Sequence, residues 1–298
     1  MRVRASGNLS DKLNRLTIEV NMSDLRQTPL WAKYIKSLGW EVDFLEGTYC
    51  YSRKVPLLGY LTKIQRPLEI LPKEILKSLL KKRRTFQLLI EPSTTSQFDY
   101  YKNLGFKIAG FTPLPTKTIR IKVSDQNETL LSRMHHKTRY NIKLSQRRGV
   151  IIKYTQDIDL FSNHWHVCAK KRWFFLSMKK EIKALYSAFE ESSQILFAKF
   201  KDEILAGIFL VNTKDTTYYM YAFSNGLGKK LFAPSFLVWQ VIIDDKKNAK
   251  KFFDFDGIYD ERAPFKSWKG FSRFKKSFGG DSIEYPLPLS MFFPRGKL

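Results

Sequence analysis

Three stretches of the chain share one pattern: apolar residues at helical spacing, a glycine, then apolar and polar residues in alternation. In WAKYIKSLGWEVDFL the helical spacing ends at Leu38, and Gly39 stands where a helix commonly closes on a left-handed residue without a Cβ penalty. From Trp40 onward the period is two, that of a strand. SQFDYYKNLGFKIAGF repeats the device around Gly105, and LLSRMHHKTRYNIKLSQRRGVIIKY repeats it around Gly149. Helix followed by strand is the recurring unit.

Further strands are predicted at TFQLLIEP (85–92), KTIRIKV (117–123), QILFAKF (194–200), ILAGIFLVN (204–212), TTYYMYAF (216–223) and FFDFDGI (252–258). Helices are predicted at PKEILKSLLKKRR, around 164–172, at MKKEIKALYSAFEES and at SFLVWQVIIDDKKNA. Strands alternating with helices predict a mixed α/β fold. The polar stretch SDQNE after Val123 is the expected boundary between two similar halves, 1–124 and 125–282. Two separated prolines make the final YPLPLSMFFPRGKL extended, and 283–298 are expected to return to the first half.

Composition narrows the partners. The 298 residues carry 52 Lys+Arg against 28 Asp+Glu, a net charge of +24, while 43% hydrophobic and 15% aromatic residues are enough for a packed core. Such an excess of cations draws phosphate-bearing molecules: nucleic acid, an anionic membrane surface or a diphosphate substrate. No apolar run approaches a membrane span and the N-terminus lacks a signal-like apolar stretch, so a cytoplasmic location is expected. Cys50 and Cys168 form no disulfide framework or CxxC pair and read as small buried side chains.

Several constellations bear on chemistry. From Thr129 to Gln156 there is no acidic residue, and Arg139, Lys143 and Arg147 fall at i, i+4 and i+8. Like charges so stacked suit either a phosphate-tracking surface or a solvated face. In RAPFKSWKGFSRFKKSFGG a helical wheel puts Arg262, Lys266, Lys269, Arg273 and Lys276 on one side and Phe265, Trp268, Phe271, Phe274 and Phe278 on the other. Lys275 breaks the pattern by projecting into the aromatic face. It either snorkels or meets an anion or a developing negative charge.

Glu91 ends an apolar strand just before a proline. Period-two alternation places Tyr219, Tyr221 and Phe223 on one face, suited to a groove or to core packing. The loop SNGLGKKLFAPS offers glycines and lysines ahead of a helix, a candidate diphosphate cradle. The HxHxC at 164–168 has spacings ill suited to a metal, and DFDG lacks the remaining ligands of a calcium loop. No GxSxG elbow, Rossmann fingerprint or kinase set occurs.

QTPLWAKYIKSLGW, LLSRMHHKTRYNIKLSQRRGV, TTYYMYAFSN…LFAPSFLVWQ and FFDFDGI…FKSWKGFSRFKKSFGGDSIEY, in that order, resemble the FemXAB family of peptidoglycan-bridge aminoacyltransferases. The resemblance implies two tandem GNAT-like domains, the first binding precursor and the second the aminoacyl-tRNA end, with the active site in the channel between them. It implies transfer of an amino acid from aminoacyl-tRNA to a stem-peptide amine of lipid II or of UDP-MurNAc-pentapeptide. The only cofactor-like requirement is aminoacyl-tRNA as co-substrate. A monomer, in peripheral contact with the inner membrane surface, is expected.

On the matching motifs, the resemblance makes Lys275 the stabiliser of developing charge on the acyl or ribose oxygen. Glu91, where the family commonly has aspartate, becomes the residue that orients or deprotonates the attacking amine. Lys36 and Arg172 are implied to hold the precursor's phosphates, and Tyr219 and Tyr221 to line its groove. No long charged helical pair is inserted, so the compact form without a coiled-coil arm is expected. Two other readings keep parts of this picture: a GNAT-type N-acyltransferase using acyl-CoA, and a non-enzymatic RNA- or membrane-binding module.

Overall fold

The computed structural model describes residues 24–170, 178–264 and 266–293. It divides into two compact units, one of residues 1–109 with 288–298 and one of residues 110–287. The first unit opens with a 3-10 turn, Leu25–Gln27, and helix α1 (Pro29–Ser37). Thr28 starts α1 by accepting the Trp31 N–H at 3.2 Å, and Pro29 occupies a first-turn position where its missing donor costs nothing. Then follow β1 (Glu41–Leu45), β2 (Thr48–Val55), β3 (Gly59–Gln65), α2 (Lys73–Arg83), β4 (Thr85–Glu91), α3 (Thr95–Asn103) and β5 (Lys107–Ile108).

The second unit runs β6 (Lys117–Lys122), α4 (Asn127–Arg133), α5 (His136–Arg147), β7 (Ile151–Thr155), α6 (Ile158–Lys170) and α7 (Lys179–Phe189). It continues with β8 (Ser193–Phe200), β9 (Glu203–Asn212), β10 (Thr216–Ser224), α8 (Gly226–Lys230), α9 (Ala233–Lys247), β11 (Phe252–Asp254), α10 (Lys269–Lys276) and β12 (Asp281–Glu284). The chain then re-enters the first unit as β13 (Leu289–Phe292).

The first sheet has the order β1-β2-β3-β4-β13-β5, with β3 and β4 parallel across the α2 crossover. Leu76, Leu79 and Leu80 of α2 and Tyr101 of α3 pack with Cys50, Ile64, Leu88, Ile90 and Leu289 on one of its faces. Strand alternation sends Tyr51, Lys63, Gln65 and Glu91 to the opposite face. The second sheet has the order β12-β6-β11-β10-β9-β8-β7. Its β9 is buried along nearly its whole length, which explains the unbroken apolar run LAGIFLV. The mixed α/β class with two units and two mixed sheets is thus the fold.

Gly39, Gly105 and Gly149 have φ of +82°, +97° and +80°, the left-handed turn that the repeated pattern requires between helix and strand. The boundary falls at 109/110 instead of the expected 124/125. The reason is pairing: β6 is hydrogen-bonded to β12 on one side and β11 on the other, so it belongs to the second sheet. On the C-terminal side, 283–287 stay with the second unit, and only from Pro288 does the chain rejoin the first, where β13 pairs with β4 and β5.

Candidate active site

In the second unit, α10 brings Lys275 inward from its last turn. The 3-10 turn Lys266–Trp268 precedes it, so one continuous helix from 262 does not form. Arg262 consequently sits in a loop, holding Asp260 through its guanidinium at 2.6 Å. Phe265 of the sequence-derived wheel lies outside the described residues.

Lys275 is 9% exposed. Its ammonium donates to the carbonyls of Phe255 and Gly257, both at 2.7 Å, and lies 5.0 Å from the Phe271 ring centroid and 5.3 Å from that of Tyr219. Two of its three N–H groups are thereby used. Burial lowers the Lys275 pKa to about 8, against the pull of Asp256 and Asp254, which favour the charged form.

The two carbonyls are held by a buried carboxylate. Asp254 is 2% exposed; its Oδ1 accepts from Thr118 Oγ1 at 2.6 Å and from the Asp256 N–H at 2.8 Å, and its Oδ2 accepts from Arg120 Nε at 3.1 Å. Thr118 Oγ1 also accepts the Gly257 N–H at 3.2 Å. Asp256 and Gly257 both have positive φ, +54° and +140°, in the turn whose Phe255 and Gly257 carbonyls accept from Lys275. The peptide that presents the Phe255 carbonyl to Lys275 is the one whose N–H is fixed by Asp254. DFDG, unremarkable as a calcium motif, is here a clamp for an ammonium.

Tyr219 and Tyr221 do not share a face. A β-bulge at Met220 leaves Tyr219 beside Leu210 and Tyr221 beside Phe209, and consecutive residues of β9 point to opposite sides. Tyr219 packs near Phe253 and Phe255 on the Lys275 side. Tyr221 stacks on Phe209 with ring centroids 6.2 Å apart and meets Trp165 edge-on. Phe223 stays with Tyr221, against Phe161 and His164.

In the first unit Glu91 ends β4 and is 5% exposed, accepting from Gln65 Nε2 at 2.9 Å. Lys63 lies on the same face two residues before Gln65, its ammonium 4.3 Å from the Trp40 centroid and 5.9 Å from that of Tyr51. Burial lowers the Lys63 pKa to about 8; Glu91 opposes that shift, and Arg26 and Arg53 add to it. Tyr51 donates to the Arg26 carbonyl at 2.6 Å, tying this face to the turn that carries Arg26 and Gln27. Lys63, Gln65 and Tyr51 escaped the sequence reading because β2 and β3 were not among its strands, although TKIQ carries the period-two signal. Lys36 is exposed on the last turn of α1, and Arg172 lies outside the described residues.

Other sequence candidates resolve structurally. The SNGLGKK loop is the short α8: Asn225 Oδ1 already accepts the Gly228 N–H at 2.7 Å, and a Cβ on Gly228 would stand 2.4 Å from the Leu205 carbonyl oxygen. The glycine serves close packing, and the helix end is capped by its own side chain. Arg139 is likewise spent inside the unit, its Nη1 donating to the Met134 and Leu131 carbonyls at 2.6 and 3.1 Å. Among the described residues no group of three His, Cys, Asp or Glu is placed to hold a metal, and no helix is long and apolar enough to cross a membrane.

Residues 175–286 match the model of the FemAB family, a stretch that contains Tyr219, Asp254 and Lys275. Among solved structures the chain is similar to FemX, with a TM-score of 0.78 at 16% identity over 98% of this chain and 97% of that one. It is also similar to the C-terminal DUF2156 domain of an assigned lysylphosphatidylglycerol synthetase from Agrobacterium fabrum, with a TM-score of 0.60 at 13% identity over 95% and 92% of the two chains. L-PGS from Bacillus licheniformis matches with a TM-score of 0.58 at 10% identity over 95% and 91%. A search of curated proteins finds no match.

Proposed function

We propose that this chain is an aminoacyltransferase of the FemXAB type that moves an amino acid from aminoacyl-tRNA to the stem-peptide amine of a peptidoglycan precursor. The observation that carries the reading is the ammonium of Lys275, buried, clamped by two carbonyls and lying within the family-matched stretch.

The acceptor amine attacks the ester carbonyl of the aminoacyl group directly. A new C–N bond forms, the ester C–O bond breaks, and the amine's proton ends on the departing ribose oxygen. An ester is already activated, so the enzyme's task is to position two substrates and to stabilise charge on oxygen as it develops. Lys275 does the second with an N–H that neither carbonyl occupies. Glu91, fixed by Gln65, is assigned to the acceptor amine, which it orients or deprotonates. Tyr219, beside the ammonium, is assigned to the acyl end of the reaction. Tyr221, on the other face of the sheet, is assigned to core packing, and Lys36 and Arg172 to the precursor's phosphates.

Incubation with a pool of charged tRNAs and either lipid II or UDP-MurNAc-pentapeptide, followed by mass analysis, tests the reading. The expected product is precursor heavier by one aminoacyl residue, dependent on charged tRNA. Acyl transfer from acyl-CoA without tRNA, or aminoacylation of phosphatidylglycerol in place of the precursor, overturns it.

A further inference from the structure

We propose that the outward face of α5 on the second unit is an RNA-docking surface, with Lys137, Lys143 and Arg147 tracking phosphates and Tyr140 offering its ring to a base. The proposal rests on tRNA being the co-substrate and names where on this unit the RNA lies. At 100° per residue, His136, Lys137, Tyr140, Lys143 and Arg147 occupy one arc of the helix, and all are exposed. The opposite arc, Thr138, Ile142 and Ser145, is buried and holds α5 in place.

What separates this helix from α2, which is also basic, is pairing. On α2, Lys77 is met by Glu74 and both Lys82 and Arg83 by Asp43. On α5, among the described residues, no carboxylate lies within ion-pair distance of Lys137, Lys143, Arg147 or the following Arg148. Cations stacked without acids disfavour a helix, so packing holds this stripe in place against its own repulsion, and a polyanion relieves it.

The surface extends at both ends. His135 and His136 stack at 4.3 Å before the first turn. Beyond the last turn, Arg148 donates to the Lys230 carbonyl at 3.0 Å, which brings the exposed Lys229 and Lys230 alongside. Twelve residues at 1.5 Å each give a stripe of about 18 Å, enough to follow several phosphates of one strand. The most exposed non-cationic side chains on it are an aromatic ring 56% exposed and the stacked imidazoles, which suit base stacking; Leu144, in the same arc, is half-buried.

The test compares two variants of the full chain with the same change in net charge, Lys143→Glu/Arg147→Glu on α5 and Lys73→Glu/Lys81→Glu on α2. Labelled, uncharged tRNA is titrated by fluorescence anisotropy across salt concentrations. The α5 pair is expected to weaken tRNA binding by about tenfold or more and to flatten the salt dependence by roughly two phosphate contacts, while the α2 pair stays within about twofold of wild type. Lys143→Gln/Arg147→Gln gives a milder loss in the same direction, and equal melting temperatures exclude unfolding as the cause. Tyr140→Ala lowers affinity without changing the salt slope.

Equal losses for the two Glu pairs overturn the proposal, as does an α5 variant that binds tRNA normally but no longer binds phosphatidylglycerol vesicles. Uncharged tRNA needs no transfer reaction. A loss confined to α5 together with no aminoacyl transfer by the wild type therefore leaves the surface standing and defeats the proposed reaction alone.

Discussion

Lys275 and Asp245 are both buried titratable groups, and their surroundings push them in different ways. In the proposed reaction Lys275 works as an ammonium, and burial lowers its pKa to about 8. Turnover is expected to hold up to neutral pH and to fall as pH rises through about 8. Lys275→Met removes the donor assigned by the proposal to the developing oxyanion and is expected to lower kcat by roughly 10²–10³ with little change in substrate affinity; unaltered kcat excludes the lysine from the chemistry. Asp245 is 3% exposed, with Oδ1 accepting from Thr217 at 2.8 Å and Oδ2 buried without a hydrogen-bond partner. Burial, aided by Asp244, raises its carboxyl to about 7, against Thr217 and Lys250. The folded state therefore keeps a proton that the unfolded chain releases near 4, and stability falls as pH climbs from about 4 to 7. Asp245→Asn has no such titration. In urea unfolding its stability relative to wild type is expected to rise by a few kcal/mol between pH 5 and pH 8, one pKa unit being about 1.4 kcal/mol; an unchanged difference refutes the assignment.

At the scale of elements, two local irregularities position the site. One is the Phe255–Gly257 turn after β11, which aims two carbonyls at Lys275. Gly257 has a φ of +140°, and a Cβ there would stand 2.6 Å from Pro115 Cγ. Gly257→Ala is expected to cost about 1–3 kcal/mol of stability and, by moving the clamp, activity as well. Asp254→Asn keeps the shape of the carboxylate but removes its charge and one acceptor. It is expected to lower the pH at which turnover falls, since Asp254 favours the charged form of Lys275; an unshifted pH profile breaks the link between clamp and lysine. The other irregularity is the bulge in β10. TTYYMYAF reads as a regular strand, and nothing in its side chains announces that Met220 is the extra residue. The pairing with β9 separates Tyr219 from Tyr221.

At the scale of the whole molecule, the first unit is completed by the last strand of the chain. β13 lies between β4 and β5 and contributes Leu289, fully buried, with Phe293 beside it at 2% exposure. Ending the chain at Leu287 is expected to unfold the first unit while the second, whose sheet lies entirely within 110–287, keeps its own melting transition. A single unchanged transition contradicts this division. Local pattern was enough to establish the helix–glycine–strand units, the mixed α/β class, the polar carboxylate at the end of β4 and the lysine inside an aromatic surround, because each depends on neighbours a few residues apart. Two things were decided only by folding: β6 joining the second sheet, and Asp254, Thr118 and Arg120 meeting beneath the 255–257 turn. These rest on hydrogen bonds between residues more than a hundred positions apart, and no periodicity along the chain encodes which distant partner a buried carboxylate or an open strand edge will find.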